Sequence, residues 1–221
     1  MFKTILTLAL VLGLDAHAAP VKRFFQDAKL PTQQLVEKQT ITDPAAAGST
    51  NVLSANAGNT STAAASATTF LAQPDVPRNL SITPGGTTAD VAACTVTVTG
   101  TDYFGRTLSE GFAFLANAST ATVGSKAFKT VSSVSFPANC EDSPFTATWS
   151  VGFGEKLGLK RCLANAGNVL MSTVAGAYES TRPTVAANVS QVSGNTADFN
   201  GTMNGSNDFE IFFFQNYGCF P

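Results

Sequence analysis

The chain has 221 residues, 44% of them hydrophobic and 13% charged, with a formal net charge of -2. That is enough apolar material for a folded core, and the slightly acidic balance offers no bulk electrostatic footprint for nucleic acid. With so few charges, surface hydration has to come from Ser, Thr and Asn, or from attached sugar.

The first segment reads as an export signal. Lys3 supplies a positive start, Ile5 to Leu14 form a short apolar run, and Ala16-His17-Ala18 fits a small-x-small cleavage pattern. The run is shorter than a bilayer span. Residues 1–18 are therefore expected to be a signal peptide, and the product to be secreted, extracellular and without a membrane span. Lys22-Arg23 is a dibasic pair of the kind cut by kexin-type processing proteases, or simply two exposed charges. Cleavage there removes Lys3, Lys22 and Arg23 with Asp15, which leaves a net charge of about -4. It also removes His17, the only histidine.

Residues 19–43 read as a pro-segment or a short helix, with Thr32 placed as a cap before a thin apolar face. Residues 44–69, PAAAGSTNVLSANAGNTSTAAASATT, are low in complexity. Small side chains and hydroxyls bury too little surface to offset ordering entropy, so this stretch reads as a flexible linker, open to O-glycosylation in a eukaryotic host.

Residues 70–221 read as one antiparallel β-sandwich, or a barrel-like variant, of about eight to nine strands. Val76 to Thr83 ends at Pro84-Gly85-Gly86, a strong turn signal. Cys94, Val96 and Val98 alternate with Thr95, Thr97 and Thr99, the mark of a half-buried strand. Leu108 to Phe114 follows across a turn and completes a hairpin. Phe128, Val131, Val134 and Phe136 are spaced three, three, two, which requires a β-bulge or a preceding turn. Phe145, Ala147, Trp149 and Val151 share a face, which places the sole Trp in the core. Gly152, Gly154 and Gly158 resemble a dinucleotide loop, but the last glycine comes one place late and no helix follows; they read as a glycine-rich turn. Segments 168–174, 184–192 and 196–200 are weaker strands. The last, Asp208 to Tyr217, is apolar on both faces, so it is buried twice or covered by a partner.

Four cysteines, Cys94, Cys140, Cys162 and Cys219, in an exported chain read as two disulfides with three pairings open. Cys94 with Cys140 and Cys162 with Cys219 is the preferred arrangement. The wide spacing lacks any C-x-x-C, which argues against a zinc site.

Three stretches, PDVPRNLSITPGGTTADVA, STATVGSKAFKTVSSVSFPA and GFGEKLGL, resemble a poorly characterised group of small proteins from tailed-bacteriophage and prophage virion gene clusters. AGAYESTRPTVAANV and QNYGCF are similar to longer members. The resemblance covers about residues 68–219. It implies a virion-type β-domain with a structural or binding role, and it carries no functional residues across. The signal, the dibasic pair and the cysteines depart from that group, whose members assemble in cytoplasm.

Catalytic chemistry is thinly represented. Loss of His17 removes histidine-dependent triads, and neither Ser-x-x-Lys nor G-x-S-x-G occurs. Glu141-Asp142 and Asp208 with Glu210 are acid pairs that a glycosidase or a calcium site would need, in no distinctive spacing. No cofactor is expected. Six N-x-[ST] triplets, at Asn59, Asn79, Asn117, Asn188, Asn200 and Asn204, are candidate glycosylation sites, with Asn117 in the most polar loop. Tyr103 and Phe104, an aromatic pair at a hairpin tip, are the candidate ligand contact. The expectation is a secreted, non-enzymatic structural or surface-interaction protein, partnered by itself or by surface polysaccharide. A carbohydrate- or cell-wall-binding module is the alternative, and a carboxylate-dependent hydrolase comes third.

Overall fold

The computed structural model describes residues 35–56 and 64–214. The contacts divide the chain after Leu35, and the unit that begins at Val36 is the one described. It is all-β and antiparallel.

Its axis is β9 (Ala147–Gly158), twelve residues long. β9 pairs with β4 (Arg78–Gly86) along one edge. Its other edge pairs with β2 (Gly48–Asn56) at its start and with β13 (Thr196–Asp198) at its end. β12 (Thr184–Ala186) and β7 (Thr122–Val123) complete this middle sheet. A second sheet runs in the order β3-β8-β5-β6, from Ala65–Ala67, Thr130–Phe136, Cys94–Thr101 and Thr107–Phe114. A third runs β1-β14-β10-β11, from Val36–Ile41, Phe209–Phe214, Val169–Val174 and Ala177–Tyr178.

The alternation of apolar and polar residues decides which face packs. Val96, Val98, Phe112, Val134 and Phe136 of the second sheet meet Leu80, Ile82, Trp149 and Val151 of the middle sheet in one core. Trp149 is fully buried, edge-on to Phe114 at 4.9 Å. Ile41, Phe209, Ile211 and Phe213 of the third sheet meet Leu157, Leu159 and Ala197 in another. β9 therefore serves both cores, its first half one and its last residues the other. The β8 spacing is resolved by a bulge: Ser133 opposes Thr99 and Val131 opposes Gly100, which leaves Ser132 as the extra residue. The face of the second sheet turned away from its core is lined with hydroxyls. Thr95, Thr97, Thr99 and Thr101 stand beside Thr107, Ser109, Ser133 and Ser135, with no charged side chain among them.

The described residues hold fourteen strands rather than eight or nine, and Pro84-Gly85-Gly86, expected as a turn, continue β4 opposite Trp149, Thr148 and Ala147. Three further features differ from the sequence reading. Gly152, Gly154 and Gly158 lie inside β9 rather than in a turn. An added Cβ at Gly152 would run into the Gly48 carbonyl of β2, and one at Gly154 into the Asn79 amide. These glycines mark close approach within a strand. Secondly, 36–41 is β1 and not a helix, held by six register pairs with β14. Thirdly, 48–56 and 65–67 within the expected linker are strands β2 and β3, and Val52 and Leu53 belong to the first core. Two apolar residues in a run of small ones suffice to anchor β2 because β9 supplies the pairing edge.

Candidate binding surfaces

The turn between β5 and β6 is built around Asp102. Its side chain is buried, and Oδ1 accepts from the Phe104 amide at 2.9 Å and the Arg106 amide at 3.0 Å. Oδ2 accepts from Arg106 Nε at 2.9 Å. Gly105 completes the turn at a φ of 81°, where glycine carries no steric penalty. This frame holds Tyr103 half-buried and Phe104 38% exposed, their rings edge to face at 5.4 Å. Arg106 lies over the Phe104 ring at 5.6 Å from its centroid. A cleft beside the turn runs from Arg106 past Ser109 to Lys126, Ser190 and Ser193.

A second surface surrounds the last strand. Register alternation sends Phe209, Ile211 and Phe213 inward, and Glu210, Phe212 and Phe214 outward. Val36 stands opposite Phe214, Lys38 and Met171 opposite Phe212, and Thr40 and Thr173 opposite Glu210. Tyr178 of β11 extends the same row beside Thr173. The result is an outward face bearing Val36, 53% exposed, half-buried Met171, Phe212 and Phe214, and Tyr178, 62% exposed. Glu210 is its polar centre, taking Lys38 Nζ at 2.6 Å, Thr40 Oγ1 at 3.4 Å and Thr173 Oγ1 at 3.2 Å. The Lys38 hydrogen bond holds the Glu210 carboxyl below the usual carboxylate range.

The candidate acids are not gathered into a cleft. Glu141 is buried, and Oε1 accepts from Trp149 Nε1 at 3.2 Å, while its neighbour Asp142 is exposed. Asp208 accepts from the Asp43 amide at 3.3 Å, and Glu210 is engaged as described. Among the described residues no group of three or more His, Cys, Asp or Glu side chains could hold a metal ion.

Cys94 and Cys140 form a disulfide, with Cα atoms 5.2 Å apart. Cys162 is buried and disulfide-bonded; the expected partner, Cys219, lies outside the described residues, as does Asn59. Among the triplet asparagines, Asn79 is fully buried, with Nδ2 donating to the Gly124 carbonyl and Oδ1 accepting from the Lys156 amide, each at 2.9 Å. A glycan on Asn79 is incompatible with this fold, which corrects that candidate. Asn188 caps its own turn through Ser190 and Gln191, and Asn204 does the same through Ser206 and Asn207. Asn200 is exposed, with Nδ2 bonded to the Thr181 carbonyl at 2.9 Å. Asn117 is exposed on the loop after β6.

Among the described residues no helix is long and apolar enough to cross a membrane. No protein-family model, curated protein or solved structure matches the chain.

Proposed function

We propose that the protein is a secreted, non-enzymatic surface-interaction protein that works by association with copies of itself, in the manner the resemblance to virion β-domains implies. The observation that carries this reading is the outward face of the third sheet. Its apolar residues Val36, Phe214, Phe212 and Met171 are contiguous across β1, β14 and β10, with the Lys38–Glu210 pair set among them, a mixture of apolar and polar groups of the kind protein contacts use. The engaged and scattered acids support a binding role over hydrolysis. Light scattering of the secreted chain after size exclusion tests it. The expected result is an oligomer that Phe212→Asp converts to monomer; a strict monomer across a wide concentration range removes the reading.

Binding of surface polysaccharide through the hairpin tip is the second reading, favoured by the exposed Phe104 ring on a rigid Asp102-built turn. Retention on insoluble polysaccharide, lost in Tyr103→Ala and Phe104→Ala, is its expected signature. Equal retention of the variants, or retention on no polymer, ends it.

A further inference from the structure

The outer face of the middle sheet carries an open groove of about 390 Å³. Ser81 and Thr83 of β4 form its floor, Val123 of β7 one wall and Gly48–Ser49 the other. Lys156 and Asp198 stand at its end. A second hollow of about 330 Å³ continues it, since Ala47 and Glu155 line both. There the lining turns to Phe199, Asn200 and Met203. Both volumes fall in the range of small-molecule sites. The wall is built rather than incidental: the doubly bonded Asn79 amide sits where a side chain at residue 154 would be, so Gly154 is the residue that lets strand and amide meet.

The chemistry of the groove is mixed in sign. Lys156 and Asp198 face one another in the β9–β13 register, yet they form no ion pair, and Glu155 forms none among the described residues. The Thr83 hydroxyl is shielded from solvent and has no hydrogen-bond partner among the described residues, a state that costs stability. An anionic ligand would meet two carboxylates. A cationic one would pair with the carboxylates but leave Lys156 facing a like charge, and an apolar one would strip water from all three charges with nothing in return. A neutral polyol suits both signs: its hydroxyls donate to the carboxylates and accept from the ammonium. We propose that this two-lobed groove binds a neutral oligosaccharide, with Lys156, Asp198 and Glu155 as its polar contacts. The first lobe shares no lining residue with the third-sheet face or with the cleft beside the hairpin tip.

The test is an amide-resolved NMR titration of the isotope-labelled secreted chain with cellotetraose, maltotetraose, laminaritetraose and N-acetylchitotetraose, each to millimolar concentration. At least one should give saturable shifts at Gly48, Gly154, Lys156 and Asn200. Lys156→Ala and Asp198→Asn should each weaken that binding by about tenfold, and Ser81→Gln should block the groove from a different strand, while Phe104→Ala changes nothing. Circular dichroism confirms that the variants are folded. No saturable shift with any of the four sugars, shifts confined to the hairpin tip, or native binding by Lys156→Ala would overturn the proposal. A monomer that binds sugar in the groove removes self-association and keeps this site; an oligomer that binds none does the reverse.

Discussion

Arg78 is wholly buried at the start of β4, close to where the two cores meet along β9. Its Nε and Nη2 donate to the Gly154 carbonyl at 3.0 and 2.7 Å. Nη1 donates to the Ala45 carbonyl at 2.8 Å and to Asp75 at 3.1 Å, and the guanidinium lies 5.0 Å from the centre of the Phe153 ring. Burial lowers its pKa and the neighbouring Asp75 carboxylate opposes that fall. One planar fork thus ties the chain before β2 to β4 and β9. Arg78→Ala strands both carbonyls and Asp75, and should cost about 3–5 kcal/mol in urea unfolding. Arg78→Lys should recover only part of it, because an ammonium cannot span the same acceptors; a loss under about 1 kcal/mol would place the residue among ordinary surface pairs. Two acids of the third sheet set the pH response. Burial raises the Glu37 pKa, but hydrogen bonds from Arg161 at 2.9 Å and Lys160 at 3.0 Å outweigh it and leave the carboxyl below 4.5. Glu210 is lowered likewise, chiefly by Lys38. Each therefore holds protons less tightly folded than unfolded. Their contribution is complete above the unfolded value and is lost as pH falls through the folded one. The urea midpoint should decline as pH drops below about 4.5, and Glu37→Gln with Glu210→Gln should flatten that decline.

At the scale of the element, β9 is a strand whose glycines are spaces for its neighbours. Gly152→Ala would drive a methyl into the Gly48 carbonyl and the Ser49 backbone, so β2 must shift. Gly105, by contrast, has nothing within 4 Å of its missing Cβ and is constrained only by its φ of 81°. Thermal melts should rank the two: Gly105→Ala costing about 1 kcal/mol, the backbone penalty alone, and Gly152→Ala distinctly more. Equal costs would mean that β2 does not pack as described. The same strand shows where sequence reading succeeds and where it stops. β5, β6 and β8 are legible because period-two alternation of Val, Phe and Thr is a local signal, and the β8 irregularity even announces its bulge; β14 is legible as a short, nearly unbroken apolar run. β1 and β2 are not, because their order comes from edges offered by β14 and β9, which lie far away in the chain, as Val36 opposite Phe214 and Gly48 opposite Phe153 show. Glycine repeats carry the opposite local meaning to the one they have in β9. The hairpin pair Tyr103-Phe104 could be found by its position, whereas Arg78 and the Lys156–Asp198 groove could not, since no local pattern distinguishes a strand arginine that is buried or two charges that become neighbours only across β9 and β13.

At the scale of the molecule, two cores share one middle sheet, and the Cys94–Cys140 disulfide closes a separation of 46 residues around the first. The second sheet leaves its other face to threonine and serine hydroxyls. That face has a consequence for behaviour in solution. Most proteins keep apart through like charges, so they precipitate where net charge vanishes and respond to added salt. Hydroxyls do not titrate near neutrality and ions do not screen them. Much of the hydration of this chain, with its 13% charged residues, is therefore indifferent to proton and salt concentration. Its solubility should pass through the isoelectric region with no deep minimum and change little with sodium chloride, as turbidity against pH and ionic strength would register.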